Sequence, residues 1–265
     1  MIDRPWYEKP YLTKLGFCIS AGGVHTARTI MLQELQELLA TVPRVDASKE
    51  EYSHAVVEQN CLKKRSQKNR LLTIRHLSEL YVLDSSVLLF RALVYFWHRD
   101  VPGRPLLALL CAYARDPLLR DSLEFIMKQP IGAMVHRTAL EEYLDTLMPG
   151  RFSAATLKSV AQNLNASWTY AGHLAGRVKK VRTQAIPTAG SIAYALLLSY
   201  LTGARGQMLL KTEFIALLDC TAERALELAE EASKNGWMVF KRIGDVIEVS
   251  FPSLITQAEA ELLYE

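Results

Sequence analysis

Apolar positions recur at helical spacing along most of this chain. Ile30, Met31, Leu35, Leu38, Leu39 and Val42 predict a helix over 24–41, opened by a Gly22–Gly23 turn and stopped by Pro43. Further helices are predicted over 48–59 and 60–81. The second would place Leu71, Ile74, Leu77 and Tyr81 on one face and Lys64, Lys68 and Arg75 on another. Residues 85–98 and 106–113 are nearly all apolar and read as buried helices, and Asp116-Pro117 reads as the cap and start of a helix over 118–128. Helices over 138–147 and 153 to about 172 lead into a hairpin at 177–186. The order then repeats, with helices over 188–202, 208–218 and 221–234. Alternating strands over 237–242 and 246–251 follow, joined by the turn at 243–245. Residues 1–19 read as extended and the tail to Glu265 as a short amphipathic helix.

This order predicts a mainly α protein: an N-terminal helical bundle over 1–117, then two winged-helix-like units with short β-hairpins, 118–187 and 188–265. Half of the residues are hydrophobic, enough for a proper core. Residues 183–204 carry no charge over about the length of a membrane span, but Pro187, Gly190 and Gly203 interrupt them; a buried helix is expected, and no membrane partner. The opening residues lack the apolar core of a signal peptide. Cys18, Cys61, Cys111 and Cys220 lie far apart and read as reduced thiols, which fits a cytoplasmic protein.

Charge changes the picture. The net charge is only +3, but it is segregated. No acid lies between Asp145 and Glu213, an interval that holds Arg151, Lys158, Arg177, Lys179, Lys180, Arg182, Arg205 and Lys211. A second acid-free stretch, between Glu58 and Glu79, clusters Lys63, Lys64, Arg65, Lys68, Arg70 and Arg75. Surfaces cleared of carboxylates suit a polyanion, because each acid near a phosphate weakens binding. Residues 153–170 read as the reading helix of a helix-turn-helix, with Gln162 and Asn163 able to bond adenine edges and Lys158 to reach phosphate. Arg177, Lys179, Lys180 and Arg182 on the hairpin would lie along the DNA backbone. The third helix of the second unit instead carries Glu223, Glu227, Glu230 and Glu231, which suits internal packing or a protein partner.

Enzyme chemistry finds little support. His25, His54, His76, His98, His136 and His173 show no metal-ligand spacing, and no nucleophile elbow, phosphate loop or dinucleotide loop is present. Asp84, Asp116 and Asp121 sit at helix-cap positions. No catalytic residue, metal or cofactor is therefore assigned. Double-stranded DNA is the expected partner. A protein-interaction scaffold, a winged-helix transcription regulator and an RNA binder stay open beside it.

Several short motifs resemble one family. Ser20–Gly23 opening the first helix, the Asn60–Ser66 run followed by Arg70-Leu71 and Leu80-Tyr81, Thr156–Leu174 with Ala171-Gly172-His173-Leu174, and the helix ending at Leu201–Gly206 are together similar to BrxA. BrxA is the small accessory protein of BREX bacteriophage-defence systems. The resemblance spans about residues 20 to 220. It implies a non-enzymatic, all-helical protein that binds double-stranded DNA and acts beside other BREX proteins. It supplies no site motif, so the basic residues above rest on charge and spacing.

Overall fold

The computed structural model describes residues 4–19 and 22–263; Ser20 and Ala21 of the Ser20–Gly23 motif, and both chain ends, lie outside the described residues. The chain is mainly helical, with short antiparallel strands in two small sheets.

The N-terminal part contains α1 (Tyr11–Lys14), α2 (Leu32–Thr41), α3 (Lys49–Val57), α4 (Gln67–Tyr81), α5 (Leu88–Arg99) and α6 (Arg104–Arg115). Two expectations need correction here. The segment before α2 is not uniformly extended: it holds a 3₁₀ turn over Pro5–Glu8 as well as α1. The helix expected from residue 24 begins only at Leu32, after a 3₁₀ turn over Val24–Thr26. The cause is tertiary. The Ile30 amide donates to Ser167 Oγ (2.9 Å), and the Tyr81 hydroxyl donates to the Ile30 carbonyl, so this backbone is already paired outside any helical ladder. Met31 then takes a left-handed φ of 51°, which starts α2 afresh. α3 begins cleanly because Ser48 and Glu51 form a reciprocal capping box.

A winged-helix order follows: α7 (Pro117–Met127), β1 (Met134–Val135), α8 (Arg137–Leu147), α9 (Ala154–Tyr170), β2 (Leu174–Ala175) and β3 (Lys180–Arg182). The sheet order is β1-β3-β2, all antiparallel, with Val181 opposite both Met134 and Ala175. The hairpin therefore lies earlier than the 177–186 read from the sequence. Residues 176–179 form its tip, where Gly176 takes a φ of 95° and has no room for a Cβ against the Lys179 carbonyl.

The second unit comprises α10 (Ala189–Leu201), a 3₁₀ segment over Gly206–Lys211, α11 (Glu213–Ala216), α12 (Ala222–Lys234), β4 (Val239–Ile243) and β5 (Val246–Ser250). The continuous helix expected over 208–218 is thus broken by Thr212, whose side chain caps α11 by accepting from the Ile215 amide. The Gly206–Lys211 segment packs against β5, the position that β1 takes beside the last strand in the first unit. α13 (Gln257–Leu262) closes the chain, and its Glu259 grips Arg91 of α5 at 2.7 Å.

α10 is the centre of the molecule. Of its residues, all but Tyr200 are buried, and it packs against α5 and α6 on one side and α11 and α12 on the other. At its N-terminus the buried Asp100 carboxylate accepts from the Gly190 amide (2.8 Å) and the Thr188 hydroxyl (2.5 Å), placing negative charge where the helix dipole is positive. No helix among the described residues is long and apolar enough to cross a membrane. One continuous buried cluster, from Trp6 to Leu254, runs through the bundle and both winged units.

Candidate nucleic-acid interface

The first winged unit places α9 and the wing. Ser153 starts α9 by accepting from the Thr156 amide (3.2 Å). Val160, Ala161, Leu164 and Trp168 turn inward, while Ala155, Lys158, Ser159 and Gln162 are exposed on the opposite face. A polar network fixes the inner face. His25 Nδ1 lies 2.9 Å from the Asp116 carboxylate, and its Nε2 lies 2.8 Å from Ser167 Oγ. Asn163 Nδ2 donates to the His25 carbonyl (2.9 Å), and Trp168 Nε1 donates to Ser122 Oγ (2.9 Å). The 24–30 segment is thereby stapled to α9, which locks the helix against the bundle.

The Ser167–His25–Asp116 arrangement has the connectivity of a hydrolase triad, assembled from residues far apart in sequence. It has no solvent access: Ser167 and His25 are 0% exposed and Asp116 is 1% exposed. The Ser167 hydroxyl also accepts from the Ile30 amide and bonds the Asn163 carbonyl (2.9 Å). These groups hold the fold together. Burial alone would raise the Asp116 carboxyl; the His25 charge and hydrogen bonds outweigh it and keep the carboxyl below its ordinary range.

The structure sorts the candidate cations. Lys158, Gln162, Arg177 and Lys179 are exposed. Val178, between the last two, is 89% exposed at the wing tip. Lys180 is half-buried, donates to the Gly176 carbonyl (2.6 Å) and has its ammonium pKa lowered by burial. Arg151 is exposed, lies over the Phe152 ring and donates to the Gly22 carbonyl (3.2 Å). Asn163, expected to read bases, is engaged with His25 instead and is only half-exposed.

Arg182 does not face solvent. It is 2% exposed and forms a bidentate pair with Asp219 (2.8 and 3.0 Å). Its Nε also donates to the Ile126 carbonyl (3.2 Å). The assignment of Arg182 to DNA is therefore corrected: it joins the base of the wing to the second unit. His173 lies at the same junction, with Nε2 2.9 Å from the Leu217 carbonyl and Nδ1 without a partner among the described residues. Burial lowers its pKa to about 4.

In α4 and the loop before it, Lys63, Arg65 and Lys68 are exposed. Asn60 holds this loop in shape by bonding both the amide and the carbonyl of Lys64. Lys64 pairs with Glu34 (3.0 Å), and Arg75, itself exposed, pairs with Glu79 (2.8 Å). Arg70 is half-buried and donates to the Val57 carbonyl (2.8 Å), a bond that closes α3 onto α4. Arg28 lies within the 24–41 interval expected to be helical but precedes the actual start of α2 at Leu32. It stands exposed on the turn beside α9.

In the second unit, Glu223, Glu227, Glu230 and Glu231 are all exposed along α12, with Arg224 tied to Glu227 (2.8 Å). No protein-family model matches this chain, and no curated protein matches it.

Proposed function

We propose that this chain is a non-enzymatic, cytoplasmic double-stranded DNA-binding protein that uses its first winged unit. The observation that supports this most is the pairing of an acid-free α9 with a cationic wing tip on a fold whose strand order is that of a winged helix. In such a unit α9 enters the major groove, Lys158 reaches phosphate and Gln162 a base edge, while Arg177 and Lys179 follow the backbone. The resemblance to BrxA adds the setting: a component of a BREX phage-defence system, working beside other BREX proteins.

The second winged unit favours a protein partner. Its α12 exposes four glutamates, and Ile243 and Val246 at the tip of the following hairpin are 83% and 71% exposed, a surface that suits a protein. A scaffold role is the second reading.

The test is binding of a labelled arbitrary duplex at two salt concentrations. The wild type is expected to bind, with affinity falling steeply as salt rises. Lys158→Ala with Arg177→Ala and Lys179→Ala is expected to weaken binding and reduce the salt slope by about one unit per lost phosphate contact. Absence of binding at low salt, with retention of a co-purifying protein, favours the scaffold. Stronger binding to an RNA duplex or single strand changes the nucleic acid and keeps the surface.

A further inference from the structure

The two basic stretches are far apart in sequence, yet one short turn connects them in space. Asn163 of α9 bonds the His25 carbonyl, and Thr26, Ala27 and Arg28 follow immediately on the surface. Arg151, just before α9, bonds the Gly22 carbonyl at the other end of the same segment. On the far side of that segment, a hollow of about 380 Å³ is lined by Gly22, Thr26, Arg75, Glu79 and Arg115 among others. Arg75 of α4 therefore borders the segment that Arg151 and Asn163 hold from the winged unit. Lys68 lies two turns before Arg75 on the same face of α4, and both are exposed. Beyond Lys68 stand Arg65 and Lys63, on the loop that Asn60 holds rigid.

Two acids border this path: Glu34, held by Lys64 (3.0 Å), and Glu79, which is paired with Arg75 in an exposed i,i+4 bridge. An exposed bridge of this kind is weak, so a phosphate can take Arg75 from it at little cost. α9 and residues 22–30 contain no acid.

We propose that α4 and the Thr26–Arg28 turn extend the DNA-contacting face of the first winged unit into one continuous track, so that a single duplex seated on α9 also lies along α4. This rests on the DNA reading given above. It makes the bundle part of the binding surface, with Arg28, Lys68 and Arg75 as phosphate contacts. A recognition helix and its wing cover about one turn of duplex; the track calls for a longer site.

The experiment compares three full-length proteins on a duplex of about two helical turns, roughly 20–24 base pairs. One is the wild type, one carries Arg28→Ala, Lys68→Ala and Arg75→Ala, and one carries Lys14→Ala, Lys128→Ala and Lys234→Ala, exposed cations off the track. The track variant is expected to lose roughly ten-fold or more in affinity, with the salt slope smaller by about 2–3. The control variant, with the same net charge, is expected to keep both. Equal losses in the two variants, or none in the track variant, overturn the proposal and leave the α9 reading standing. Failure of the wild type to bind removes both.

Discussion

Replacing Arg182 with Met keeps much of the side-chain volume and removes the charge and its donors. In the folded protein this guanidinium meets both Asp219 oxygens, at 2.8 and 3.0 Å. It also donates to the carbonyls of Ile126 (3.2 Å) and His173 (3.3 Å). Removing one partner of a buried pair costs about 3–5 kcal/mol, because the remaining charge is stranded. The Asp219 side chain retains 15% exposure and keeps some hydration, so R182M belongs near about 3 kcal/mol. For a chain of this size that lowers Tm by roughly 6–12 °C. D219N strands the 2%-exposed Arg182 and also weakens the bond from the Ala185 amide (3.2 Å), so it is expected to cost more. The double variant is expected to be less destabilised than the sum of the singles, since neither charge is then left alone. Thermal or urea unfolding of the three variants supplies the numbers. Duplex binding, measured well below the lowered Tm, is expected to match the wild type. An unchanged Tm for R182M together with DNA affinity lowered as far as in K179A would refute the buried placement of Arg182 and return it to the interface.

Acid unfolding should report His173. Its pKa is about 4 when folded against 6.5 ordinarily, so the unfolded chain binds the extra proton; the stabilisation is present at neutral pH and is lost as pH falls from about 6.5 towards 4. Stability by urea melting is expected to be about 2 kcal/mol lower at pH 5 than at pH 7.5, and His173→Gln should flatten that slope; a slope unchanged in the variant assigns the loss to other groups. Ser167→Ala leaves the buried Ile30 amide and His25 Nε2 without their shared partner and is expected to cost about 1–3 kcal/mol, read as a drop in Tm; a Tm equal to wild type would mean that the network is dispensable. Gly176→Ala forces a Cβ onto the Lys179 carbonyl at a positive φ, so the wing should lose its shape and DNA affinity should fall with little change in Tm; unchanged affinity would take the wing out of the interface.

Most helices were legible because their apolar spacing agrees with the faces they bury, as in α9 with Val160, Leu164 and Trp168; the helices expected over 24–41 and 208–218 were the exceptions. The β1-β3-β2 order was only half legible: the hairpin announced itself through Gly176 and its cations, whereas the two-residue β1 leaves no periodic signal. The charge reading failed where it treated an acid-free interval of sequence as an acid-free place. Asp219 folds back onto Arg182 across 37 positions, and Glu34 reaches Lys64 across 30. Local patterns cannot announce such partners. The same limit hid Arg28, because the break before α2 depends on Ser167 and Tyr81, distant in sequence, besides the local bond from the Met31 amide to Thr29 Oγ1.

The burial of α10 on every side makes the chain hard to cut. A surface helix can be removed with its module and leave a polar scar, but α10 has no polar face to leave behind. Ending the chain before residue 189 strips α5 and α6 of the wall they pack against, and detaching residues 189–263 presents that same apolar cylinder to water. The bundle and the second winged unit are therefore expected to unfold in one transition, and limited proteolysis of the native protein to release neither as a folded fragment.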